Sequence, residues 1–257
     1  MTTPLLNMTH FGEGDGIPLL IVHGLFGSGR NWRAIARHLS KNRHVVTVDL
    51  RNHGDSFWND DNTYAALADD LEQVVMHLGG RVDVLGHSMG GKAAMVLALR
   101  SPSMINRLIV ADIAPVAYTH TQNENIALMQ SLPLAEFGRR SDVQEALRTR
   151  TGDAALAAFF AQSVRIEDNG LQWMLNLDAL KTNMAAIIGF PEMQIAYEDN
   201  ALFIRGSASD YVHGVGETAV AQLFPKANIH TINKAGHWLH ADKPREFMSI
   251  LDEYLTA

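Results

Sequence analysis

Short apolar runs rich in β-branched residues alternate along the chain with longer segments whose apolar residues recur at helical spacing. That alternation is the pattern of a parallel sheet wrapped by helices. The runs that read as strands are Ile17–Val22, His44–Asp49, Val82–Leu85, Arg107–Asp112, Ala201–Gly206 and Asn228–Asn233. Their near-continuous apolar content predicts strands covered on both faces. Leu5–Phe11 reads as a further strand, paired antiparallel with the next through the glycine-rich turn Gly12-Glu13-Gly14-Asp15-Gly16. Helical faces are formed by Tyr64, Leu67, Leu71, Val74, Val75 and Leu78, and near the end by Phe247, Ile250, Leu251, Tyr254 and Leu255, with Pro244 suited to a first helical turn.

The rhythm changes between Pro115 and Pro191. Only helical patterns are evident there, such as Leu177, Leu180, Met184, Ile187 and Ile188. The chain therefore divides into a core of residues 1–114 and 191–257 and a helical cap of residues 115–190, laid over the carboxyl ends of the strands, where open α/β sheets bind ligands. The bulky cap residues Met129, Phe137, Phe159, Phe160, Trp173 and Met174 are candidates either to roof a pocket or to form the cap's own small core.

Composition narrows the classes of function. A chain of 257 residues with 47% hydrophobic and 19% charged residues can bury a sizeable core. The net charge of -7 leaves no basic excess for nucleic acid. The absence of cysteine excludes disulfides, thiolate–zinc sites and cysteine catalysis. No His-Glu-x-x-His or comparable ligand spacing points to a metal, and no cofactor motif is present. The opening Met1-Thr2-Thr3-Pro4-Leu5-Leu6-Asn7 lacks the basic and apolar regions of a signal peptide, and no apolar run reaches membrane-spanning length. The expectation is a cytoplasmic enzyme acting on a small molecule, with no membrane or nucleic-acid partner and an oligomeric state the sequence leaves open.

The most informative segment is Gly86-His87-Ser88-Met89-Gly90. It follows the apolar run Val82–Leu85 and precedes the helix-like Gly91–Leu99, the strand–turn–helix context of a nucleophile elbow. The serine must be lifted clear of the sheet by a strained backbone, and glycines on either side let strand and helix pass closely. A serine needs a base, and the base an orienting acid; on this type of sheet they follow in the order Ser, acid, His. His237, in the loop Lys234-Ala235-Gly236-His237-Trp238 after the last strand, is the candidate base. His230 lies within a strand, and His120, His213 and His240 have weaker settings.

The acid has two candidates. Asp112 closes a buried strand at the edge where the elbow opens; its structural alternative is to cap the turn towards Pro115. Asp210 lies one step late in Gly206-Ser207-Ala208-Ser209-Asp210, where serines occupy the positions at which aspartates are common; its alternative is a solvated loop charge. Asp112 is favoured because a buried strand-end carboxylate is better placed to orient an imidazole. Two backbone amides should receive the developing oxyanion, one from Met89 and one from Leu25, with Phe26 as its neighbouring alternative. Phe26 and Trp238 are the candidate substrate contacts. His23 and His87 read as structural supports, and the loop Asp49–Ser56 as packing beside the site.

The strings His23-Gly24-Leu25-Phe26-Gly27-Ser28, Arg51-Asn52-His53-Gly54, Gly86-His87-Ser88-Met89-Gly90-Gly91-Lys92, Asp112-Ile113-Ala114-Pro115 and Gly236-His237-Trp238-x-His240-Ala241 resemble the α/β-hydrolase superfamily and, within it, the YbfF esterase subgroup. The resemblance implies an α/β-hydrolase fold, a mostly parallel sheet with a helical cap, and a serine esterase acting on short acyl esters. It also implies Asp112 as the acid, since the subgroup lacks the usual aspartate after the later strand. One alternative is an acyl-CoA thioesterase, for which Lys92, Arg51 and Arg205 are candidate nucleotide contacts. Another, of a different class, is a small-molecule receptor on the same fold.

Overall fold

A computed structural model describes residues 4–168 and 170–256. The first three residues, on which part of the reading of the N-terminus rests, lie outside the described residues. Seven strands form one sheet: β1 (Met8–Phe11), β2 (Leu19–Val22), β3 (Val45–Val48), β4 (Val82–His87), β5 (Ile105–Ala111), β8 (Ala201–Gly206) and β9 (Ala227–Ile232). Their order is β1-β3-β2-β4-β5-β8-β9, with all neighbours parallel except β1 and β3. β2, β3 and β4 are buried along their whole length, as their unbroken apolar runs require.

Two expectations are corrected here. β1 does not pair with β2: both edges of β2 are taken by β3 and β4, so β1 crosses over and zips onto the free edge of β3, Met8 opposite Val48. β9 is not covered on both faces. It is an edge strand whose Asn228, Ile229 and His230 are exposed.

Helices cover both faces. α1 (Arg33–Leu39) and α11 (Pro244–Thr256) bury Ile35, Leu39, Phe247 and Leu251 against one side. α2 (Tyr64–His77) and α3 (Met89–Arg100) bury Leu67, Leu71, Val74, Met95 and Leu99 against the other. α2 starts at Thr63, whose side chain caps it by accepting the Ala66 N–H. α9 (Val215–Leu223) and α10 (Leu239–Asp242) complete the core around β8 and β9.

Between β5 and β8 the chain leaves the sheet and forms α4 (Asn123–Gln130), α5 (Arg140–Thr151), α6 (Ala154–Ala161), α7 (Leu177–Thr182) and α8 (Met184–Ile188). The segment also holds a hairpin of β6 (Val164–Glu167) and β7 (Gly170–Trp173), so the all-helical expectation fails there. Met129 and Met174 are buried and Trp173 packs with them in the interior of the insertion, the Trp173 indole donating to the Met129 carbonyl (3.2 Å); Phe137 packs against the same cluster. Of the six bulky residues named from the sequence, Phe159 and Phe160 line a cavity.

Candidate active site

The loops that follow β2, β4, β5 and β9 converge at the carboxyl edge of the sheet. Ser88, between β4 and α3, has φ 52° and ψ -121°, a positive-φ conformation that side chains seldom adopt. The adjacent glycines permit the turn: a Cβ on Gly86 would strike the Gly90 carbonyl, and one on Gly90 would strike that of His23. The Ser88 Oγ lies 3.0 Å from His237 Nε2, and His237 Nδ1 lies 2.8 Å from Asp112 Oδ2. Since Nδ1 donates to the carboxylate, Nε2 is left to accept the serine proton.

Asp112 is fully buried and also adopts a positive φ, 51°. Its Oδ1 accepts the Gly206 N–H (3.0 Å), and its Oδ2 accepts the Ser209 hydroxyl (2.5 Å) as well as His237. Gly206 ends β8 and Ser209 lies in the turn that follows, so the end of β8 serves the carboxylate that follows β5. Asp210 is exposed, and the imidazole it was weighed for is engaged by Asp112.

His237 is enclosed by rings. Tyr211 stacks on it with centroids 4.2 Å apart, and His87 approaches at 4.8 Å. His87 Nε2 donates to the His237 carbonyl (2.9 Å), pinning its backbone. Burial, with His237 and His240 adding to it, holds the His87 pKa well below the ordinary histidine value, so it stays neutral. His240 stacks on Trp32 at 4.3 Å, and burial lowers it to about 4. Tyr211 Oη is hydrogen-bonded to His120 Nε2 (3.0 Å), and its carbonyl accepts the Tyr118 hydroxyl (2.6 Å).

The loop after β2 supplies the opposite wall. Phe26 has φ 64°, and its N–H is already donated to His53 Nε2 (3.2 Å). Among the described residues the amides of Leu25 and Met89 have no acceptor, which leaves them free for an oxyanion. Phe26, Trp238, Leu156, Phe159 and Phe160 line a cavity of about 120 Å³ that opens onto Ser88 and His237. Phe159 contacts the Trp238 ring at 5.3 Å, and Phe160 meets Phe26 edge-on at 5.5 Å.

The three cations considered for a CoA nucleotide are not available. Arg51 forms a buried bidentate pair with Asp70 (2.6 and 2.7 Å), Arg205 is bound to Glu217, and Lys92 is buried beneath the insertion. Among the described residues no group of three or more His, Cys, Asp or Glu side chains could hold a metal, and no helix is long and apolar enough to cross a membrane. The sequence does not single out Tyr211 or Ser163, and it offers His120 only as a weaker candidate base, whereas in the structure His120 meets the Tyr211 hydroxyl. The serine at position 209 was visible only as a missing aspartate.

Known proteins share this arrangement of strands and loops. The family model described as "Alpha/beta hydrolase family" matches residues 19–250. The chain is 37% identical to the sn-1-specific diacylglycerol lipase ABHD11 of Mus musculus, over 95% of this chain and 83% of that protein. It is 32% identical to the esterase YbfF of Escherichia coli, covering 95% of each. Among solved structures, a marine microorganism esterase superposes with a TM-score of 0.93 at 34% identity, over 97% of this chain and 98% of the other. The chain belongs to the alpha/beta hydrolase family, as an enzyme of the carboxylesterase type.

Proposed function

We propose that the protein hydrolyses short-chain carboxylic esters through an acyl-enzyme on Ser88. The Ser88 Oγ attacks the ester carbonyl carbon while His237 Nε2 takes its proton. The carbonyl oxygen becomes an alkoxide held by the amides of Leu25 and Met89. Asp112 orients the imidazole and stabilises the imidazolium. On collapse, the carbon–oxygen bond to the alcohol breaks and His237 returns the proton to that oxygen. Water then attacks the acyl-enzyme with His237 again as base, releasing the carboxylic acid and restoring the serine.

The observation that supports this reading is the continuous relay from Ser88 Oγ to His237 Nε2 (3.0 Å) and from His237 Nδ1 to Asp112 Oδ2 (2.8 Å), opening on an apolar cavity. The cavity's modest size favours short acyl groups. Its lining holds no Lys, Arg, Asp or Glu among the described residues, which favours uncharged ones. The same steps would cleave a thioester, but with Lys92, Arg51 and Arg205 engaged elsewhere nothing specific favours a CoA nucleotide. The test is hydrolysis of p-nitrophenyl acetate, butyrate and octanoate, with phosphonate labelling of the wild type and Ser88→Ala. Turnover that falls with chain length and is lost with Ser88→Ala is expected. A wild type that neither hydrolyses nor labels would leave a ligand-binding receptor as the better reading.

A further inference from the structure

Lys92 occupies the first turn of α3, its N–H donating to the Ser88 carbonyl (3.0 Å), and is only 1% exposed. It has no carboxylate partner among the described residues. Its Nζ instead donates to three backbone carbonyls, those of Val116 (2.8 Å), Ile188 (3.0 Å) and Gly189 (2.6 Å). These use all three ammonium hydrogens. The rings of Tyr118 and Tyr64 lie 4.6 and 5.7 Å from the nitrogen, adding cation–π attraction.

The three acceptors are not random carbonyls. Val116 lies where the chain leaves the sheet for the insertion, and Ile188–Gly189 where it comes back. One side chain on the nucleophile's helix thus ties together both stems of the segment between β5 and β8. Neighbouring bonds reinforce the return stem: the Tyr64 hydroxyl donates to the Ile187 carbonyl (2.6 Å), and the Tyr118 N–H to that of Ile188 (3.0 Å). Ile187 and Ile188 line the cavity beside Ser88.

A methionine would fill the same space without the desolvation of a buried ammonium, which pushes the Lys92 pKa down to about 7. Apolar packing alone, however, would let the stem slide. Directed bonds from an atom four residues beyond the nucleophile fix it. We propose that Lys92 is a positioning residue that sets the acyl length the site accepts, by holding the Ile187–Ile188 wall at a fixed distance from Ser88. This rests on the esterase reading above.

The test compares kcat/KM for p-nitrophenyl acetate and octanoate in the wild type, Lys92→Met and Ile188→Ala. Leu251→Ala, in the core on the opposite side of the sheet, serves as a control for general loss of stability. The octanoate-to-acetate ratio should rise about fivefold or more in Lys92→Met and Ile188→Ala, a size expected when a pocket wall yields by one or two methylenes. Leu251→Ala should lower Tm and leave the ratio alone. A ratio that moves equally in Leu251→Ala, or that stays put in folded Lys92→Met, overturns the proposal. If Lys92→Met does not fold, Lys92→Gln decides instead: it keeps two N–H donors but cannot satisfy three acceptors, so its ratio should shift the same way, and an unshifted one is equally fatal. A wild type that hydrolyses neither ester sinks this proposal together with the esterase reading. An active wild type with an unmoved ratio sinks this one alone.

Discussion

His53 accepts the backbone N–H of Phe26 through Nε2, while His23 accepts that of Leu50 the same way (2.9 Å). Each imidazole comes from the loop whose partner it holds: His23 follows β2 and braces the loop after β3, and His53 follows β3 and braces the loop after β2. Both Nδ1 atoms donate to nearby carbonyls, His53 to Arg51 (2.9 Å) and His23 to Gly24 (2.8 Å), which fixes the tautomers. Burial lowers His53 to about 3 and also lowers His23, so both remain neutral and able to accept. The Ser163 hydroxyl donates to the Phe26 carbonyl (2.7 Å), clamping the strained residue from the insertion as well.

This brace holds the Leu25 amide where an oxyanion would form, so its loss should be felt in the transition state rather than in substrate binding. His53→Ala should lower kcat about 10–100-fold with KM changed much less. His53→Gln, whose amide oxygen can still accept the Phe26 N–H, should recover part of the loss. Steady-state kinetics on p-nitrophenyl butyrate decide it; a rise in KM at constant kcat would mean that the loop only binds substrate.

Asp112 and Ser209 supply the second prediction. Asp112→Asn leaves the fold intact but presents the wrong hydrogen-bond pattern to His237 Nδ1, and should cost about a thousandfold or more in kcat. Asp210→Asn, at an exposed position, should stay within about twofold of wild type. Ser209→Ala removes one donor to the shared Oδ2 and should cost an intermediate amount, about tenfold. The same loss in Asp210→Asn, with Asp112→Asn near wild type, would return the acid to the loop after β8.

Much of the candidate site is legible in the sequence, for identifiable reasons. Ser88 and His237 sit in short strings whose glycines and flanking strands are dictated by local backbone geometry. Asp112 is legible as a carboxylate closing a buried strand, and the serines at 207 and 209 remove its usual competitors. What escaped were relationships between distant segments. The glycines at 12, 14 and 16 suggest a tight hairpin, but the occupied edges of β2 decide where β1 goes. Strand β9 is more polar than the buried strands, with Asn228, His230 and Thr231 in it, and that polarity, not its periodicity, is the mark of an edge. The β6–β7 hairpin did leave a trace, alternating Val164, Ile166, Leu171 and Trp173 around Asn169-Gly170, which the helical rhythm of the insertion masked. Lys92 reads as a candidate nucleotide contact because nothing in its neighbours reveals the carbonyls of residues 116, 188 and 189.

The enclosed histidines also make the fold sensitive to acid. His23, His53, His87 and His240 all have their pKa lowered from 6.5, His53 to about 3 and His240 to about 4, with burial the largest cause in each. An unfolded chain takes up protons at these residues near pH 6.5, whereas the folded chain does so only at lower pH. The unfolded state therefore binds more protons in this window, and stability rises with pH there. The contribution is fully present above about pH 6.5 and is lost as pH falls towards 4. Each such group contributes up to about 1.4 kcal/mol per pH unit, so His53 and His240 together approach roughly 3 kcal/mol per unit, with His23 and His87 acting in the same direction. That would exhaust an ordinary domain stability of about 5–15 kcal/mol within a few units of acidification. Urea unfolding at pH 7.5, 6.5, 5.5 and 4.5 should give a plateau followed by a steep fall. His240→Gln, which removes one titrating group, should make that fall shallower by about 1 kcal/mol per unit. A stability that stays flat from pH 6.5 to 4.5 would mean that these imidazoles already accept protons in the folded protein, and that the brace on Phe26 is not held by a neutral His53.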